Sequence, residues 1–169
     1  MNTDMTITKE DAIGAYRDEL SELLVEVVND GASIGFLPPL CQADAAEYWS
    51  SAIGPDVLLF NARLDGRIVG TVQVHLSTKQ NGSHRAEIAK LMTHPGYRRR
   101  GIGRALMERA EESAKQAGRS LLVLDTRDGD PSNGLYTSIG YIPAGSVPYY
   151  AQSANGELHA TNFYYKVID

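Results

Sequence analysis

Apolar positions recur along this chain with two periods, and the switches between them divide it into elements. Met5 to Lys9 alternates apolar and polar residues, the mark of a half-buried edge strand. Thr8 then reads as a helix N-cap, with Asp11 three residues on as an imperfect capping box. Ala15, Leu20, Leu23, Leu24, Val27 and Val28 form a helical stripe that stops at Gly31. Gly31 to Leu40 is a loop rich in glycine and proline, and Gln42 to Ile53 is a second short helix ended by Pro55. Val57 to Arg63 and Ile68 to Leu76 are two strands joined by Asp65-Gly66, a strong hairpin signal. Asn81-Gly82 marks the next turn, and His84 to Thr93 completes a three-stranded meander.

The second half changes rhythm. Ala105, Leu106, Met107 and Ala110 carry helical spacing up to Ala117, with Gly118 where a C-cap belongs. Ser120 to Thr126 is a strand, and because a helix precedes it, it should run parallel to the strand before that helix. Pro131 to Ile139 is a short helix closed by Gly140. Tyr141 to Tyr150 is a strand, Ala151 to Gly156 a polar loop, and His159 to Val167 the last strand. No repeat, low-complexity tract or linker interrupts residues 1–169. The pattern predicts one α/β domain: a mixed, mostly antiparallel, twisted sheet flanked by helices.

Composition excludes several classes. With 16 Lys and Arg against 21 Asp and Glu, the net charge is −5, which argues against nucleic acid as a partner. The surplus acidity suits steering of a cationic substrate such as an amine. No apolar run approaches the roughly 20 residues of a membrane helix, and the N-terminus lacks an apolar signal core. The single cysteine, Cys41, fits a reducing cytoplasm and is expected to pack in the interior. His75, His84, His94 and His159 lack ligand spacing, so no metal is expected.

Against that acidic background, Arg98-Arg99-Arg100-Gly101-Ile102-Gly103-Arg104 stands out, placed between a strand and a helix. The first N–H groups of a helix have no partner inside it, and the helix dipole is positive there. Glycines remove the bulk that would hold an anion away, and arginines add forked donors. Such a turn should cradle phosphates. The glycine order is not that of a dinucleotide fold, and no Lys-Ser/Thr pair follows as in a P-loop.

What remains, Arg-x-x-Gly-x-Gly after a strand, resembles the pyrophosphate loop of the GNAT superfamily of acetyl-CoA-dependent N-acetyltransferases. Gly134-Leu135-Tyr136 with Gly140-Tyr141 resembles a second signature of that superfamily. The resemblance implies the GNAT fold and acetyl-CoA as co-substrate. It implies cofactor contacts from the arginine-glycine loop (Arg98, Arg99, Arg100, Gly101, Ile102, Gly103, Arg104) and from main-chain groups of Leu91, Met92 and Thr93. It implies Tyr136 as general acid for the departing thiolate. Glu87 falls where several members carry a general base, and Asp125 is a second candidate for base or amine binding. An aliphatic amine, with a pKa near ~10.4, must lose a proton before it attacks a thioester. The superfamily's usual pantetheine-binding asparagine has no match at the expected spacing, and Asn133 is not given that role. Local sequence offers no Ser/His/Asp or Cys/His set, which favours direct transfer in a ternary complex.

GASIGF from Gly31, NGSHRAEIAKLM from Asn81, LLVLDT from Leu121 and NGELHATNFYYK from Asn155 also resemble the tabtoxin-resistance acetyltransferase type. That resemblance implies a small amine acceptor, amino-acid-like or an antibiotic. The acceptor pocket is expected near GASIGF and near Tyr149 and Tyr150, in a monomer or homodimer. Two alternatives stay open. A protein or peptide N-acetyltransferase would need a long open groove. A non-catalytic acyl-CoA-binding module would hold acetyl-CoA without turnover.

Overall fold

The computed structural model describes residues 4–169. The strands are β1 (Thr6–Glu10), β2 (Val57–Leu64), β3 (Arg67–Leu76), β4 (Arg85–Thr93), β5 (Leu121–Arg127), β6 (Ile142–Gln152) and β7 (Leu158–Val167). The helices are α1 (Arg17–Asn29), α2 (Gln42–Ala52), α3 (Ile102–Gln116) and α4 (Ser132–Ser138). One seven-stranded sheet runs in the order β1-β2-β3-β4-β5-β7-β6. Every neighbouring pair is antiparallel except β4 and β5, joined through α3. The β2–β3 hairpin turns on Asp65 and Gly66, both left-handed with φ 52° and 76°, the geometry of a two-residue primed turn.

Strand alternation loads two cores. Phe60, Val72, Val74, Ala86, Ile88, Leu122 and Leu124 pack with Ile102, Leu106, Met107, Ala110 and Ala114 of α3. Leu59, Ile68 and Met92 pack with the apolar stripe of α1 and with Trp49 of α2. The Trp49 ring N–H donates to the Leu20 carbonyl at 3.1 Å, so the largest buried side chain also joins the two helices. Ile88 and Met92 are four residues apart and would share a face of an unbroken strand. They fall in opposite cores because the β3–β4 register slips between Thr71↔Met92 and Gln73↔Ala89, leaving an extra residue on β4. Lys90 lies in that bulge with a left-handed φ of 56°.

Three expectations need correction. Thr8 does not cap a helix: it pairs with Asn61 inside β1, and α1 begins only at Arg17, with Ala15 exposed in a short 3-10 turn. Strand pairing takes up Thr8 before a helix can form. Ala151 and Gln152 belong to β6, because they pair with His159 and Leu158, so the polar turn is shorter than expected. Cys41 is exposed at the N-terminal boundary of α2 rather than packed inside. Among the described residues, no helix is long and apolar enough to cross a membrane.

Gly70 of β3 controls how closely α3 approaches the sheet. A Cβ there would lie 2.8 Å from Ile102 Cγ2, 3.0 Å from Leu106 Cδ1 and 3.0 Å from the Met92 carbonyl oxygen. Gly70→Ala is expected to destabilise the fold by about 1–3 kcal/mol through overpacking. Urea denaturation checks this; an unchanged midpoint would show that α3 can move away freely.

Candidate active site

The entrance of α3 is built without a cap. Gly101 precedes the helix in a left-handed conformation, φ 77°, with no side-chain cap bond and no acidic residue in the first turn. The first bond into the helix runs from the Ala105 N–H to the Gly101 carbonyl at 3.0 Å, so the N–H groups of Ile102, Gly103 and Arg104 precede it. One turn upstream the chain does use a cap: His94 Nδ1 accepts from the Gly96 N–H at 2.9 Å. At Gly101 a Cβ would meet nothing within 4 Å, so the approach to these donors is open. The Ile102 side chain is buried in the core, leaving only its main chain to face a ligand.

The arginines around this entrance are exposed and differently engaged. Arg98 Nη2 pairs with Asp30 Oδ2 at 2.7 Å, an exposed contact that a phosphate can replace at little cost. The Arg100 guanidinium lies 5.1 Å from the Tyr97 ring centroid. Arg104 Nη2 donates to Ser138 Oγ at 2.9 Å, joining the first turn of α3 to α4. Arg99 sits in the turn with φ 63°.

Beside this entrance the sheet splits. β4 and β5 pair only at Arg85↔Leu121, Ala86↔Leu122 and Glu87↔Val123. Beyond Glu87 the β5-facing edge of β4 has no strand partner among the described residues, and the stretch Leu91, Met92, Thr93 lies along that open edge. Met92 is itself buried in the α1–α2 core, so it offers only main-chain groups. A Cβ on Gly103 would lie 3.3 Å from Leu135 Cδ2, 3.9 Å from Thr93 Oγ1 and 4.0 Å from Leu91 Cδ2. The α3 entrance, the open edge of β4 and α4 therefore border one cleft.

Tyr136, next to Leu135 on α4, is buried in the core cluster shared with α3. It is 6% exposed, with the Tyr141 and Tyr164 ring centroids 5.9 and 6.1 Å away. Burial, reinforced by the nearby carboxylates Asp125 and Asp130, pushes its hydroxyl far above the ordinary tyrosine value of 10.0. It therefore stays protonated at neutral pH. Asp125, on β5, accepts from Thr161 Oγ1 at 2.7 Å through Oδ2.

On the face left open by α1 and α2, Glu87 is exposed and stands opposite His75 in the β3–β4 register. A pocket of ≈ 330 Å³ is lined by His75, Ser77, Arg85, Glu87 and Val123 among others. His75 is held from behind: Gln73 Nε2 donates to the Tyr48 hydroxyl at 2.9 Å, and His75 Nε2 lies 2.8 Å from Gln73 Oε1. With the Gln73 amide so oriented, His75 Nε2 carries the proton and Nδ1 keeps its lone pair. Burial lowers the His75 pKa, Glu87 opposes that shift and Lys90 adds to it. Lys90 is half-buried, and Glu87 and Asp125 both act on its ammonium. Its Nζ lies 3.2 Å from the place of a Cβ on Gly35, which puts the GASIGF loop beside the same cleft. Arg127 fixes that loop, donating to the Gly31 carbonyl (3.1 Å), Ser153 Oγ (3.0 Å) and Asp130 Oδ1 (3.0 Å).

Asp125 acts electrostatically on both the Tyr136 hydroxyl and the Lys90 ammonium, and Glu87 acts on Lys90 as well, while the pocket that Glu87 lines contains none of the arginine-glycine entrance. Reasoning from the sequence missed Lys90, the Tyr48–Gln73–His75 chain and Arg127. No local signal marks a lysine for a left-handed bulge, and the others join segments distant in sequence. Asn133 is fully occupied. Its Nδ2 donates to the Arg127 and Asp130 carbonyls, both at 2.9 Å. Its Oδ1 accepts from Asn162 Nδ2 at 2.9 Å and from the Tyr164 hydroxyl at 2.8 Å. It has no bond left for a ligand. Among the described residues, no group of three or more His, Cys, Asp or Glu could hold a metal ion.

The depressed His75 pKa has a checkable consequence. The unfolded chain takes up a proton at the ordinary value of 6.5, while the folded chain takes it up only at lower pH. The unfolded state therefore binds more protons there, and stability falls as pH drops below 6.5. His75→Gln is expected to flatten the fall between about pH 6.5 and 5. Chemical denaturation at stepped pH reads this, and an unchanged slope would show that His75 is not held neutral.

Comparison with known proteins agrees with this geometry. The sequence profile of the "Acetyltransferase (GNAT) family" matches residues 15–141. An uncharacterized N-acetyltransferase from the hisH–hisA intergenic region of Azospirillum brasilense is 30% identical over 131 residues, covering 75% of this chain and 77% of that protein. A putative acetyltransferase of Salmonella typhimurium, solved with its cofactor acetyl-CoA, has a TM-score of 0.82 at 18% identity, covering 99% of this chain and 95% of that one. The ribosomal-protein-S18-alanine N-acetyltransferase of Escherichia coli has a TM-score of 0.75 at 20% identity, covering 98% and 94%. At such identities these two structures speak to the fold alone.

Proposed function

Because the chain belongs to the GNAT family of acetyltransferases, we propose that it moves an acetyl group from acetyl-CoA to a primary amine of a small molecule, directly and in a ternary complex. The chain is an N-acetyltransferase with acetyl-CoA as co-substrate; the small, amino-acid-like acceptor is the finer reading. The uncapped α3 entrance carries the proposal. Its donors fit a diphosphate: main-chain N–H groups of Ile102, Gly103 and Arg104, an open Gly101, and the guanidinium groups of Arg98, Arg99 and Arg100 around them. Main-chain groups of Leu91, Met92 and Thr93 would hold the pantetheine arm in strand-like fashion. Acetyl-CoA supplies the activated acyl carbon; the chain supplies position and protons.

The proton steps are assigned to the candidate acid and bases. The acceptor arrives as an ammonium ion, held by carboxylate. Glu87 takes its proton, directly or through water, with Asp125 as second candidate. The freed nitrogen forms a bond to the acetyl carbon, the carbon–sulfur bond breaks, Tyr136 gives its proton to the sulfur, and the nitrogen releases its surplus proton to solvent, from which the Tyr136 oxygen is reprotonated. Burial keeps the Tyr136 hydroxyl protonated at neutral pH, so the proton is present when the sulfur departs. The likeness of GASIGF, NGSHRAEIAKLM, LLVLDT and NGELHATNFYYK to the tabtoxin-resistance type supports an amino-acid-like or antibiotic acceptor. A screen of amines with acetyl-CoA, reading thiol release, tests the reading; turnover confined to peptides would replace it with the protein-acetylating alternative.

Two variants test the assigned parts. Gly101→Asp places a carboxylate among the phosphate-binding N–H groups, where the helix dipole itself favours it, so folding should survive. Acetyl-CoA binding is expected to be lost, and unchanged affinity by calorimetry would remove the entrance from the binding site. Tyr136→Phe is expected to lower kcat by roughly 10²-fold or more, the size of a lost general acid. A kcat near that of the native enzyme would exclude Tyr136 from proton transfer.

A further inference from the structure

Lys90 is the least explained charge in the cleft. A lysine in the left-handed region, φ 56°, is uncommon and strained, and the surrounding structure must impose it. The bulge it occupies turns its side chain toward Gly35, whose missing Cβ leaves room for the ammonium at 3.2 Å. Lys9, Lys115 and Lys166 form ion pairs; among the described residues Lys79 and Lys90 form none, and of these two only Lys90 is half-buried. A half-buried ammonium without a direct partner is an unfavourable arrangement unless an anion completes it. Glu87 and Asp125 influence it from a distance without contacting it. The cleft therefore presents a cation between carboxylates. A simple amine held there would meet Lys90 as a like charge, whereas a zwitterion would find a partner for each of its ends.

We propose that Lys90 binds the carboxylate of the acceptor, so that the acceptors are free amino acids or similar zwitterions rather than simple amines or the lysine side chains of proteins. The inference rests on the acetyltransferase reading of the same cleft and narrows it. Lys90 then acts as a specificity residue: its ammonium orients the acceptor by the carboxylate while the amino end turns toward Glu87 and Asp125.

The test uses three matched acceptor sets with acetyl-CoA: the standard amino acids, their amides, and their decarboxylated amines. The full-length enzyme is expected to prefer the free amino acid over its amide and amine by roughly 10- to 100-fold in kcat/KM, the range of a charge-assisted hydrogen bond. Lys90→Met should lower kcat/KM for the amino acid by a similar factor, mainly through KM, and raise it for the amine. Lys90→Arg should restore the preference for the carboxylate. Equal losses across all three sets would make Lys90 merely structural and overturn the proposal. A native enzyme that takes amides and amines as readily as amino acids would overturn it too, even if Lys90→Met does not fold, while leaving the small-molecule reading intact. Turnover of peptides alone, or of nothing while acetyl-CoA still binds, would fell that reading and this inference with it.

Discussion

The parallel strands β4 and β5 hold together over three residue pairs and then part, and the rest of the molecule is arranged around that separation. Parting parallel strands expose main-chain groups that a sheet would otherwise satisfy. Here the exposed edge of β4 ends at a turn whose own helix also begins with unbonded N–H groups. Two sets of unmet donors and acceptors thus meet at one place. Around them the fold is conventional: α3 seals one face of the sheet, and α1 and α2 cover part of the other.

Charge is sorted along the cleft. Arginines surround the α3 entrance, while Glu87 on β4 and Asp125 on β5 both act on Lys90. An acidic chain can still bind a polyanion because the binding field is local: main-chain dipoles do much of the work, and they add nothing to the net charge. Asp125 influences both the Tyr136 hydroxyl and the Lys90 ammonium, so the two are electrostatically linked through one carboxylate.

Much of this was legible beforehand where one residue type has one physical use. Asp65-Gly66, Gly101 and Gly118 all occupy left-handed positions where turns or helix ends need them, and the helical spacing after Gly103 forecast α3. The errors have a common cause. Thr8 has the chemistry of a cap, but pairing with Asn61 across the sheet outweighs a local side-chain bond. The β4 bulge was invisible because strand alternation in the sequence gives no notice of an inserted residue, and Lys90 is not a residue that advertises positive φ. The bonds from Tyr164 to Asn133 and from Arg127 to the Gly31 carbonyl join residues 31 and 96 apart, beyond the reach of spacing.

The account depends most on the claim that three amides at the mouth of α3 bind the diphosphate of acetyl-CoA. An amide-resolved NMR titration tests it most directly. Stepwise addition of acetyl-CoA to labelled protein should shift the Ile102, Gly103 and Arg104 N–H resonances most strongly, in parallel and in step with binding. Saturable binding that leaves those three resonances in place while others move would contradict it.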